Sequence, residues 1–186
     1  MKRTIPFFGL ICILYFTSIF SSGCKNAGNT ITKYDLQLDS VHMGVRLGME
    51  RQEFYDHCWE LNKLGQNITQ GHHNTSVMHT DSVNFKFPTE INFYPKFNKN
   101  NKVYILPVRY EYRPWAPWNN EAHADKLLPE VKALMEKSYG GTFQKKMVNG
   151  KEVWFKHDNP RLITIYAEDD HYVFVKFKNE RFRDEE

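Results

Sequence analysis

Between Met49 and Gly65, Phe54, Cys58 and Leu61 recur at helical spacing among charged residues, and a glycine closes the run. This pattern predicts an amphipathic helix with its stop signal. A second run, NEAHADKLLPEVKALMEKSYGG, sets Ala124, Leu127, Leu128, Val131, Leu134 and Met135 on one face and ends at Gly140 and Gly141. Pro129 either kinks this helix or marks the first turn of its main segment.

After each helix the period changes from helical to alternating. In the second half, TFQKKMV, KEVWFKH, RLITIYA and HYVFVKF are separated by an Asn149-Gly150 turn, a DNP turn and an acidic turn at Asp169-Asp170. An Asn-Gly pair between alternating strands is a strong hairpin signal, so four antiparallel strands in a meander are expected. In the first half the less regular NITQGHHNTSVMHT leads into SVNFKFP, EINFYPKF and KVYILPVRYEY. Val83 to Lys86 matches Val153 to Lys156, Ile91 to Tyr94 matches Ile163 to Tyr166, and Val103-Tyr104 matches His171-Tyr172, each pair about 70 residues apart, which reads as an internal duplication. The expected fold is α+β, with two tandem helix-plus-four-strand units and both helices on one face of a curved antiparallel sheet. The first unit spans 41–113, a Pro/Trp joint 114–119 and the second unit 120–186.

Two such fused units, each opening on a phrase like VRLGMERQEF, are similar to the tandem repeats of β-lactamase inhibitor protein. The single unit also looks like the small outer-membrane assembly lipoproteins. The phrase from Leu47 to Phe54 has motif character, and the resemblance implies a binding protein without catalysis.

The N-terminus follows different rules. Lys2 and Arg3 precede an uncharged apolar run from Thr4 to Phe20, and SSGC places small residues before Cys24. This reads as an export signal; as a spanning helix the run is short and is broken by a Pro and a Gly. Small residues before a cysteine resemble the lipobox of bacterial lipoproteins, although Ser21 stands where that family has Leu, Val or Ile. The resemblance implies a signal peptide at 1–23, acylation of Cys24 and a tether over 24–40. The chain would then sit in the cell envelope, held to a membrane by its lipid. The residues after Cys24 lack the acidic run of surface-exported lipoproteins, which points to the periplasmic side.

Composition narrows the function classes. With 41% hydrophobic and 25% charged residues the chain has globular proportions, so disorder is not the default expectation. The formal charge of +3 falls to +1 without Lys2 and Arg3, so there is no electrostatic case for a nucleic-acid partner. With Cys12 in the signal and Cys24 lipidated, Cys58 stands alone and reads as a small buried hydrophobe.

Strand alternation divides the sheet into two faces. In the second half Val153, Phe155, Ile163, Ile165, Val173, Val175 and Phe177 form the phase expected beneath the helices. In the first half the same phase collects Val83, Phe85, Phe87, Ile91, Phe93, Val103 and Ile105, with an extra residue at Pro107 bringing Val108 and Tyr110 inward. The opposite phase leaves Tyr94, Tyr104, Trp154, Tyr166, Tyr172 and Phe174 on an open face with Arg109 and Lys176. Aromatics with polar handles beside cations describe a recognition surface, for an envelope protein or peptide or, alternatively, a glycan. Aromatics also favour strands for structural reasons alone. Trp115 and Trp118, in the joint, are expected to lock the two halves together.

Catalytic and metal signals are sparse. His72 and His73 are adjacent in a polar loop, and HExxH, CxxC and closely spaced HxH are absent, so no metal or cofactor is expected. There is no GxSxG or SxxK, and the acids beside His157 and His171 read as turn residues, which leaves a small envelope hydrolase as the third reading. Asp39-Ser40-Val41 and Asp81-Ser82-Val83 resemble the short O-glycosylation signal of some bacterial envelope proteins.

Overall fold

Two helices and nine strands build the fold in the computed structural model, which describes residues 38–66, 68–70 and 76–183. All belong to one unit, Ile31–Glu186. The signal peptide, Cys24 and most of the tether lie outside the described residues.

Helix α1, Arg51–Lys63, starts with a reciprocal cap in which the backbone N–H of Glu50 donates to the Glu53 carboxylate at 3.3 Å. It buries Phe54 and half-buries Cys58, whose thiol is pushed up to about 11 by burial. Helix α2, Ala124–Tyr139, runs through Pro129 and buries Ala124, Leu127, Val131 and Met135. Gly140 ends it at φ 69°, a left-handed conformation, with its N–H on Glu136 O at 2.9 Å.

The strands are β1 Thr69–Gln70, β2 Val77–Asp81, β3 Thr89–Phe93, β4 Lys96–Phe97, β5 Val103–Tyr112, β6 Gln144–Val148, β7 Lys151–Asp158, β8 Arg161–Ala167 and β9 Val173–Asn179. They form one antiparallel sheet in the order β1-β2-β3-β5-β9-β8-β7-β6, with β4 alongside β5. Antiparallel pairing of β5 with β9, Val108 opposite Val175, joins the two halves at the centre. The architecture is α+β, with both helices feeding one core: Phe54, Leu127 and Val131 pack with Phe93, Val108, Ile165 and Val175.

The second half is the expected helix and four-strand meander. In the first half, Ser82–Pro88 is not a strand. Asp81 accepts the backbone N–H groups of Val83 (2.8 Å) and Asn84 (3.0 Å) and the Asn84 side chain (2.8 Å), which ends β2 in a turn. Val83, expected in the core, is 89% exposed. The segment instead lies over one end of the core as a strap, with Phe85 against Tyr110 at 6.0 Å and the Lys86 N–H on Glu130 at 3.0 Å. The strand that replaces it is β2, from the irregular stretch. The halves therefore share a helix-then-meander order without a strand-for-strand match, and the fold does not establish a duplication.

The extra residue in β5 also falls elsewhere. Lys96 opposes Ile105 while Phe97 opposes Val103, so the bulge is at Tyr104, and Leu106 rather than Ile105 is buried. Pro107 lies where the neighbour of β5 changes from β3 to β4, so its missing N–H falls at a break in that ladder.

The fold begins earlier than the expected tether boundary of residue 40. Leu38 and Asp39 are buried, and Asp39 accepts from Asn179 at 2.6 Å and Arg181 at 3.0 Å. Val41, Val45, Leu47 and Met49 continue this strap into the core. His42 belongs to it. Its Nε2 lies 3.2 Å from His79 Nε2 on β2, and its ring meets Phe93 edge-on at 5.0 Å.

Burial, reinforced by His79, pushes the His42 pKa down to about 3. The unfolded chain thus takes up a proton near pH 6.5 that the folded chain refuses until about pH 3, so stability falls as pH drops through that window. Between pH 6.5 and 4.5 the loss through His42 is about 2–3 kcal/mol. Urea unfolding of His42→Leu should show a shallower acid slope than the wild type, and equal slopes would refute this assignment.

Candidate functional site

Register places the open-face residues in rows. One row crosses seven strands: Met78, Asn92, Arg109, Phe174, Tyr166, Val153 and Lys146. The next row holds Pro107, Lys176, Thr164 and Phe155. Tyr166 stacks on Phe174 with centroids 5.9 Å apart, and Lys176 Nζ lies 4.9 Å from the Tyr166 ring.

Two of the expected open-face aromatics are on the other side. Trp154 opposes Ile165 and faces the helices, where Lys132 of α2 lies 4.8 Å from its ring. The loop between β7 and β8 has two residues, Asn159 and Pro160, so Asp158 opposes Arg161 and every residue of β7 takes the opposite phase from that expected. Val153 and Phe155 therefore belong to the open face, and Lys156 to the helix side. Tyr94 lies just past the end of β3, where its hydroxyl meets that of Tyr55 on α1 at 2.8 Å and its ring meets Phe54 edge-on at 5.8 Å. Tyr104 is the half-buried residue of the β5 bulge.

The remaining expected residues converge. Arg109 lies 4.5 Å over the Tyr172 ring, Tyr172 stacks on His171 at 3.8 Å, and His171 stacks on Trp115 at 3.8 Å. This four-member column runs from the central strand to the joint. Glu111 braces it, accepting from Arg109 at 3.2 Å through one carboxylate oxygen and pairing with His171 Nε2 at 2.9 Å through the other. Burial and the nearby Glu111 carboxylate hold the Tyr172 phenol above its ordinary range, so it remains a neutral hydroxyl.

Beside the column, Glu90, Glu111, Tyr112, Arg113, Trp115 and His171 line a cleft of about 260 Å³. Glu90 and Glu111 are directly opposed across β3 and β5, where like charges repel. Arg109 offsets Glu111, whereas Glu90 accepts from the buried Asn92 amide at 3.0 Å. The buried Nε of Arg109 and Nε1 of Trp115 have no hydrogen-bond partner. Glu111, two positions from Arg109 on one strand, carried a period-2 signal that it shares the Arg109 face. His171 carried none, because it sits in the turn before β9.

The joint is asymmetric. Trp115 bridges the exit of β5 to the β8–β9 turn through His171, whereas Trp118 is 85% exposed and locks nothing. The loop holds itself without Trp118, through Asn119 Nδ2 on Pro114 O at 2.9 Å and Ala124 N on Asp170 O at 2.8 Å.

His72 and His73 lie outside the described residues, and His79 is engaged with His42. Among the described residues no group of three or more His, Cys, Asp or Glu is placed to hold a metal ion. Of the two Asp-Ser-Val sites, Asp39 and Val41 are buried, whereas Ser82 is exposed. No helix among the described residues is long and apolar enough to cross a membrane. Comparison of the chain with protein-family models, curated proteins and solved structures finds no match.

The reversed phase of β7 is testable by collisional quenching. Trp118→Phe and Trp59→Phe should each remove an iodide-accessible component of the tryptophan fluorescence, because these indoles are 85% and 65% exposed. Trp154→Phe should leave the accessible component nearly unchanged and remove shielded emission instead; a large drop in the accessible component would put Trp154 back on the open face.

Proposed function

We propose that the chain is a non-catalytic binding module of the bacterial cell envelope, anchored through a lipid on Cys24, whose open sheet face receives a protein or peptide. The observation that carries this reading is the continuous surface of Arg109, Tyr172, Phe174, Tyr166 and Lys176. There, rings lie flat against one another beneath cations, and neither helix of the described residues packs on that face. Aromatic rings and arginine supply most of the energy at protein interfaces because they bury large area at low conformational cost. Losing Trp154 and Tyr94 to the helix side narrows this surface to the centre of the sheet.

A second reading is supported by the cleft at Trp115. Opposed carboxylates beside an indole offer acceptors for hydroxyl groups and a ring for stacking, which suits a glycan. The two readings separate in one comparison. Envelope extract passed over immobilised wild type and over Tyr166→Ala/Lys176→Ala should show protein partners lost from the variant, with Trp118→Phe as a control that retains them. If soluble envelope glycans bind instead, and binding is lost in Trp115→Ala but not in the sheet variant, the glycan reading replaces the first. Identical recovery by every variant rejects the open face as the binding surface.

The anchor has its own test. Cys24→Ala should move the protein from the membrane fraction to the soluble fraction, and unchanged partitioning would reject lipidation. A triacylated cysteine buries dozens of methylenes at about 0.8 kcal/mol each, so the expected shift is nearly complete.

A further inference from the structure

On the helix side of the sheet, remote from the open face, a cleft of about 720 Å³ opens between the start of the fold, the last turn of α2 and the β7–β8 hairpin. Its floor is ionic. Asp158 Oδ2 accepts from Lys156 at 2.7 Å and Arg161 at 2.9 Å. Although burial opposes its charge, these hydrogen bonds hold the Asp158 carboxyl below its ordinary range, so it is a full anion.

The charges do not cancel. Lys156 and Arg161 contribute two positive charges against one carboxylate, and the carbonyl end of α2, where Tyr139 O accepts a hydrogen bond from Lys156 Nζ at 2.8 Å, offsets about half a charge more. A residual positive potential remains in a place of low exposure, where the Arg161 side chain is 6% and the Lys156 side chain 16% accessible. Such charge is expensive to leave uncompensated.

Hydrogen bonding shows the same imbalance. Arg161 spends Nη1 on Leu38 O and Ser40 O and Nη2 on Asp158, while its buried Nε has no partner. Lys156 has one donor left after Tyr139 O and Asp158. Ser138 and Asn159 add further donor groups to the lining. These groups line a cavity large enough for a small molecule.

We propose that this cleft binds the oxyanion of a small ligand, a carboxylate or a phosphate, between Lys156, Arg161, Ser138 and Asn159. Arg161 plays two parts: it ties Leu38 and Ser40 to the hairpin and supplies positive charge beneath the floor of the cleft, where its Nε–H senses the anion's field. The site does not depend on what the open face binds.

Inorganic phosphate and succinate, titrated separately into the full chain at pH 7, test the proposal and distinguish the two anion sources. The readouts are calorimetry and the Arg161 Nε–H resonance, assigned by its loss in Arg161→Lys. At least one anion should bind and shift that resonance. Lys156→Met keeps the aliphatic stem and should weaken binding about tenfold, the loss of one charge-assisted contact. Asn159→Ala, at an exposed turn position, should weaken it less and serves as the folded check should Lys156→Met prove unstable. The proposal is overturned if neither anion binds, or if binding survives undiminished in every folded variant.

Discussion

Pairing of β5 with β9 is the constraint on which the other features rest. Each is the last strand of its half, and their antiparallel ladder, from Ile105 opposite Lys178 to Tyr110 opposite Val173, makes one sheet from two meanders. It also sets the phase of everything outward from it. With Val108 opposite Val175, one row of the helix side reads Val77, Phe93, Val108, Val175, Ile165 and Trp154 without interruption. A slip of one residue would turn half of the core toward solvent. Without this ladder, each half would be left with an exposed edge and too little apolar area to close a core.

The sheet ends are managed by charge and by coverage. At one edge, β6 is exposed along its length, and Lys145 and Lys146 make that edge a poor template for another strand. At the other, β1 is only two residues long. The end of the core near the β7–β8 turn is closed by the strap from Leu38 to Met49, which brings one carboxylate, Asp39, to meet Asn179 and Arg181. Leu38 O and Ser40 O then accept from Arg161. A short segment before α1 therefore supplies polar partners that the strands lack at this end, and that requirement places the start of the fold before residue 40.

Much of this was legible because hydrophobic period and turn chemistry agreed. In α2 the apolar spacing and Gly140 both pointed to a helix stopping where it does. Asn149 and Gly150, at φ 51° and 77°, form the two-residue turn expected of them. The failures are equally specific. In β7 both phases carry large apolar groups, Val153 and Phe155 against Trp154, so alternation alone could not choose between them. Counting the turn as Asp158-Asn159-Pro160 chose wrongly, whereas a two-residue loop would have set Trp154 opposite Ile165. In Ser82–Pro88 the alternation was real, and Phe85 and Phe87 do pack toward the core, but the Asp81 side chain captured the backbone before a ladder could form. The column at Trp115 was hidden because stacking between a joint and a turn leaves no periodic trace in a sequence.

The open face and the joint are one structure for that reason. The Trp115 ring stacks on His171, and His171 is positioned by Glu111, which also holds Arg109 over Tyr172. The joint and the central strand are thus linked by one unbroken series of contacts. Two buried donors at the ends of this column, Arg109 Nε and Trp115 Nε1, remain without acceptors, at a cost of about 1–3 kcal/mol each. Glu111 is already committed to Arg109 and His171, so the order of the column is kept, against that cost, by ring stacking and by one shared carboxylate.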